Sequence, residues 1–279
     1  MRGFRRGVAG AALLAGFTTL ALAKPVIVRT PPRPRRVTVA AVDVLEGRVD
    51  LADASRRWHR LNVKDRLATG ERVRTAADAT ALVRLPWMTL LMAPATELGI
   101  SNPGVLSTSL ESGRLEQRGE RGIVKLDAGS VRIRGRGHLV VRRLEAVTAV
   151  SVFEGAFSVE SPAGILQLAR GTGAVAGGPE RPRAERLLAP PTSLRPGADP
   201  EYVVKGQALS LSWTPADRPA HVQIYSLDER PLLVRDVEGS PLRVDATELG
   251  TYRWRVTLRE PRGLESEPSA FGAYAVVDK

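Results

Sequence analysis

The 279-residue chain contains no cysteine. That excludes disulfides, thiol nucleophiles, cysteine-ligated metals and the lipid-bearing cysteine of a bacterial lipoprotein. Aromatic residues make up 5% of the chain, few for a protein that stacks nucleic-acid bases. Histidine is scarce: His59, His138 and His221 lie far apart, none with a second histidine or an acid at metal-ligand spacing. No HExxH, P-loop or GxSxG sequence occurs. Such isolated histidines are expected at the surface or in packing, and no cofactor is expected. Paired carboxylates are matched in space, so the sequence leaves them open. Lysine is also rare, at Lys24, Lys64, Lys125, Lys205 and Lys279, which leaves 36 arginines among 41 basic residues.

Apolar residues make up 43%, ordinary for a folded protein, while 26 glycines and 20 prolines favour many turns over long helices. The length suits about two domains. Residues 1–23 read as a cleavable export signal. Arg2, Arg5 and Arg6 form a basic start, Val8 to Leu20 an apolar stretch, and Ala21-Leu22-Ala23 a small-x-small cleavage site. An uncleaved anchor is the competing reading. Past this run no apolar stretch approaches the roughly 20 residues of a spanning helix, so the cleaved chain is not expected to be an integral membrane protein. Loss of the three arginines would lower the formal charge from +11 to +8. A basic exported protein favours anionic partners, here an envelope protein or an anionic cell-wall polymer; nucleic acid is not expected there.

Residues 24–36 carry Pro25, Pro31, Pro32 and Pro34 among arginines and read as an extended tether. Residues 37–176 read as a first β-domain. Within it an acid–Gly–x–apolar phrase recurs around Gly47, Gly113, Gly129 and Gly155, as hairpin turns would require. Val73, then Leu82, Val83 and Leu85, then Leu90 to Met92 form short apolar runs broken at Ala76–Asp78, Pro86 and Pro94, the pattern of antiparallel strands. Gly171 to Ala176 superficially matches a dinucleotide fingerprint, but Gly177-Gly178-Pro179 follows and no helix can start there. Residues 177–200 hold six prolines and read as a linker onto which Leu187 and Leu188 could dock. Residues 201–279 read as a second β-domain in which Trp213, Tyr252 and Trp254 alternate inward as core.

The phrase Gly70-Glu71-Arg72-Val73-Arg74-Thr75, the polar turn Leu61–Gly70 before it and the strand pair Val150–Gly173 resemble the FecR domain, an extracytoplasmic all-β module. Pro86-Trp87 stands where that family has an Asp-Gly turn. The second domain resembles a fibronectin type III or immunoglobulin-like sandwich, on its early Trp213 and on Leu249-Gly250-Thr251-Tyr252 as a tyrosine corner. Together these imply an all-β fold, a FecR-like roll or sandwich followed by a β-sandwich, in a periplasmic or otherwise extracytoplasmic protein. The expected function is a non-enzymatic binding or scaffold module of the bacterial envelope. The alternative is a periplasmic sensor: FecR regulators pass a receptor signal through one membrane helix to a cytoplasmic sigma-factor-binding segment. With about six residues ahead of the apolar run, that segment is expected to be missing.

The basic cluster from Arg114 to Arg143 is the sharpest feature expected at the surface. In Val131-Arg132-Ile133-Arg134 side chains alternate across a strand, which puts Arg132, Arg134 and Arg136 on one face. Guanidinium groups suit phosphate and carboxylate ligands. The first expectation is nonetheless a solvated outer face of a half-buried sheet, with an anion- or partner-binding face as the alternative.

Overall fold

Glycine, proline and acidic turns cut the chain into short runs, and nearly every run becomes a strand. The computed structural model describes residues 38–279 apart from 54, 64 and 102–106, and of residues 38, 39, 43–45, 120 and 121 the backbone alone. The export signal at 1–23 and the tether at 24–36 lie outside the described residues. Among the described residues there are 22 strands and no helix, the all-β fold expected. No helix there is long and apolar enough to cross a membrane.

The first fourteen strands are β1 (Thr38–Glu46), β2 (Val49–Ala52), β3 (Trp58–Arg60), β4 (Arg66–Ala68), β5 (Arg72–Thr75), β6 (Thr80–Leu85), β7 (Met88–Met92), β8 (Glu97–Ser101), β9 (Ser107–Ala128), β10 (Val131–Leu144), β11 (Val147–Ser161), β12 (Gly164–Ala169), β13 (Thr172–Ala176) and β14 (Glu185–Arg186). They form one sheet, whose main path runs β14-β13-β11-β10-β9-β7-β6-β1-β4. The remaining eight are β15 (Thr192–Arg195), β16 (Glu201–Val204), β17 (Ala208–Thr214), β18 (Ala220–Ser226), β19 (Pro231–Val237), β20 (Leu242–Asp245), β21 (Gly250–Leu258) and β22 (Gly272–Val277). They make a three-stranded sheet, β15-β17-β20, and a five-stranded one, β16-β22-β21-β18-β19.

Pro86-Trp87 closes a tight hairpin, with Leu85 opposite Met88. Val83, Leu85, Met88, Leu90 and Met92 then face inward into the first core, with Val124, Leu126, Ile133, Phe157 and Val159 from the long strands. The second core gathers Leu211, Trp213, Val222, Tyr252, Trp254 and Tyr274. Trp213 and Trp254 are buried, and the Tyr252 hydroxyl donates to the Glu248 carbonyl at 2.8 Å, the corner bond expected of that position. Both cores belong to one compact unit, residues 36–279. In the stretch 177–200, β14 and β15 are short paired strands; Leu187 packs on Val140 and Phe153, while Leu188 packs on the second core.

The four glycines of the recurrent phrase all have positive φ, as expected, but only Gly47 and Gly129 lie at turns between strands. Gly113 and Gly155 sit inside β9 and β11. At Gly155 the cause is close approach: a Cβ there would run into the Arg136 carbonyl of the neighbouring strand. Gly137, at φ 126°, abuts the Glu154 carbonyl in the same way. Gly137 and Gly155 stand opposite each other, and the register of β10 and β11 shifts just beyond them, between His138 and Leu139. The same sheet face changes there from exposed to covered.

Candidate anion-binding face and buried charge network

On β10 Val131 and Ile133 are buried while Arg132, Arg134 and Arg136 are exposed on the opposite face. The alternation expected from the sequence therefore holds along this row. Arg132 lies 3.5 Å from Glu160, an exposed pair that contributes little. Arg134 stands directly across from Lys125 on β9 and from Ser158 on β11. Like charges placed opposite each other across a ladder destabilise a sheet. Among the described residues, Arg134 and Arg136 have no hydrogen-bonding or ion-pair partner for their side chains.

The next even positions of β10 behave differently: His138 lies against Phe153 and Glu116, Val140 packs on Phe153 and Leu187, and Arg142 pairs with Asp236 of β19. Of the basic cluster expected at the surface, Arg114 and Arg142 are in fact buried. Strand parity places a side chain on a face; it does not say whether another sheet covers that face.

Three carboxylates hold this contact together. Glu265, from the loop after β21, accepts both Nε and Nη2 of Arg114, at 2.7 and 2.8 Å, and the Thr257 hydroxyl at 2.9 Å. Its backbone N–H donates to the Ser151 hydroxyl on β11 at 2.9 Å. Glu116 on β9 accepts from Arg255 Nη2 and Gln223 Nε2, each at 2.6 Å, and contacts His138 Nε2 at 2.9 Å. Asp236 on β19 accepts Arg142 Nη1 at 2.8 Å, Arg259 Nη1 at 2.7 Å and His221 Nδ1 at 2.7 Å. Bidentate pairing of this kind suits arginine, whose fork matches a carboxylate. Arg114 Nη1, Arg142 Nε and His221 Nε2 are buried without a partner.

Burial alone would raise all three carboxyls, but their cationic partners outweigh it. Arg255, His138 and Arg114 hold Glu116 well below the usual range, and Arg114 with His221 and Arg142 brings Glu265 down to about 2. Asp236 is lowered chiefly by His221 and Arg142. Burial, with nearby arginines, lowers both His138 and His221 from 6.5, although Glu116, Asp236 and Glu265 pull the other way.

The sign of the pH effect follows. A lowered histidine contributes stability above about pH 6.5 that is lost as pH falls through its folded value, because the unfolded chain takes up the proton first. A lowered carboxyl contributes stability above its unfolded value, 4.5 for glutamate, that is lost towards the folded value, about 2 for Glu265. Acid titration of the unfolding free energy is therefore expected to fall in two stages, one beginning near pH 6.5 and one below 4.5. Urea midpoints measured from pH 8 to pH 3 check this; a flat profile above pH 5 contradicts the histidine stage.

Beside the network lies a cleft of about 700 Å³ between the two sets of strands, with Gly137 and His138 on its wall. Leu82, Thr89, Tyr225 and Phe271 line it further, and Arg118, Arg253 and Glu154 stand at exposed positions around it. An acid and a histidine do meet here, but every oxygen of Glu116 is taken by donors, so it acts as a clamp. His59 is exposed. Among the described residues no group of three or more histidine and carboxylate side chains could hold a metal ion.

No protein-family model matches this sequence, and no curated protein matches it significantly. Among solved structures, two candidate anti-sigma factors from Parabacteroides distasonis ATCC 8503 are similar to it. One is 14% identical, with a TM-score of 0.36 over 41% of this chain and 59% of its own. The other is 11% identical, with a TM-score of 0.38 over 61% of this chain and 85% of its own. Dimeric latent PorU from Porphyromonas gingivalis is 13% identical, with a TM-score of 0.24 over 87% of this chain and 20% of its own. At these values the likeness carries no functional weight.

Sequence reasoning found the exposed row and missed the network. Arg114 and Glu265 are 151 residues apart, and no local pattern links them.

Proposed function

We propose that this protein is a non-enzymatic binding or scaffold module of the bacterial envelope, exported and FecR-like in its first half and fibronectin-like in its second. The observation that carries this reading is the row Arg132, Arg134, Arg136, exposed on one strand, in which Arg134 faces Lys125 in an unfavourable cross-strand pair. A like-charge pair held at a surface is relieved by an anionic ligand. The acids of the charge network, Glu116 and Glu265 buried and Asp236 partly exposed, support the non-enzymatic part, since all three are committed to guanidinium or imidazole partners.

The test is binding to purified cell-wall polymer at two salt concentrations. Replacing Arg132, Arg134 and Arg136 together by serine is expected to weaken binding about ten- to a hundredfold at low salt, at roughly 0.5–1 kcal/mol per exposed contact. Added salt should shrink the difference. Equal binding by the variant would end this reading.

A second reading, a periplasmic sensor, is favoured by the charge network, which ties the two halves so that a ligand on one is felt by the other. Deletion would then alter transcription of envelope genes, whereas a scaffold would leave it unchanged.

A further inference from the structure

The arginine row does not end in open solvent. Its strand continues through Gly137 and His138, and both of these line the cleft between the two sets of strands. Successive residues on one face of a strand are about 7 Å apart, so Arg132 to His138 is a continuous track of about 20 Å. The two ends of this track differ in chemistry.

The row is cationic at Arg134 and Arg136, with Lys125 beside them, while Arg132 stands between Asp127 and Glu160 on the neighbouring strands. The cleft is mixed. Arg118 and Arg253 line it together with the exposed acids Glu154 and Asp228 and the hydroxyl-bearing Thr89 and Ser226, the last bonded to Asp228. Phe271, 43% exposed, presents its ring there, edge-on to Tyr225 at 6.3 Å between centroids. A simple polyanion gains on the row and is repelled by Glu154 and Asp228. A group rich in hydroxyls finds donors, acceptors and an apolar ring in the cleft, the lining of a small-ligand site. One ligand chemistry satisfies both ends.

We infer that β10 and the cleft form one track for an acidic polysaccharide, with its charged groups on Arg132, Arg134 and Arg136 and a sugar ring in the cleft against Phe271. This rests on the anion-binding reading above and names the class of polymer.

The experiment uses the protein with three probes: polygalacturonate, uncharged dextran and inorganic polyphosphate. Phe271→Ala is expected to weaken polygalacturonate binding about tenfold and to leave polyphosphate binding within about twofold. The Arg132, Arg134 and Arg136 serine variant should lose both polyanions. Dextran should bind weakly at best. Arg253→Ala, a change at an exposed side chain, is a second probe of the cleft should Phe271→Ala fail to fold, and it should weaken polygalacturonate likewise.

If the cleft variants bind polygalacturonate as the unaltered protein does while the serine variant loses it, the track is overturned and the anion-binding reading stands. The track falls in the same way if polyphosphate binds as tightly as polygalacturonate and responds equally to Phe271→Ala. If the serine variant still binds polygalacturonate, or if the unaltered protein binds no polyanion, both readings fall.

Discussion

Glu265→Ala is expected to lower the free energy of unfolding by about 3–5 kcal/mol, because it leaves Arg114 charged, buried and without its partner. Arg114 is 2% exposed and already has one nitrogen, Nη1, unpaired. Removing Glu265 would orphan Nε as well, leave Nη2 only a 3.5 Å contact with Glu116, free the Thr257 hydroxyl and take one acceptor from Arg142 Nη2. Urea unfolding at pH 7 measures the effect. The discriminating control is the pair Arg114→Met with Glu265→Leu, which removes both charges and is expected to recover most of the loss. A loss below about 1 kcal/mol for the single variant would mean that water reaches Arg114 and that the network is not dry.

The second large effect is expected at Trp254. Its indole is fully buried in the second core, tilted against Trp213 at 6.3 Å, and its Nε1 donates to the Pro196 carbonyl at 3.2 Å. Trp254→Ala is expected to cost about 3–5 kcal/mol, from lost burial plus the cavity left behind. Where that cost appears is informative. Strand β21, which carries Trp254, also carries Arg255 and Thr257, whose side chains reach Glu116 and Glu265. Loosening it should therefore lower the unfolding midpoint of the first core together with the second. Hydrogen exchange read strand by strand checks this. Protection of β6 and β7 unchanged while β18 and β21 open freely would show that the two cores unfold independently.

Much of the fold was legible because its signals are local. The runs ending at Pro86 and Pro94 became β6 and β7, and the alternation around Ile133 gave the correct outward face for Arg132, Arg134 and Arg136. Alternation along their strands places Trp213 and Trp254 inward, where both are buried, and the Tyr252 hydroxyl bonds the Glu248 carbonyl four residues back. What could not be read was which exposed-looking face meets another sheet. Arg134 and Arg142 share one strand and one parity; one faces solvent and the other faces Asp236 from β19. The difference comes from packing between segments about 94 positions apart, for which no spacing rule exists. Gly113 and Gly155 were also misplaced. A positive φ demands glycine equally at a turn and at a mid-strand crossing, so the residue type reports the conformation and not its location.

The stretch 177–200 looks like a joint at which evolution could swap one half of this chain for another. The carboxylates argue otherwise. A newcomer lacking a glutamate at the place of Glu265 or an arginine at the place of Arg255 would strand Arg114 or Glu116 in a dry seam. The two halves are therefore expected to be inherited as a matched set, with the positions 114 and 265, 116 and 255, and 142 and 236 mutating in step in related chains.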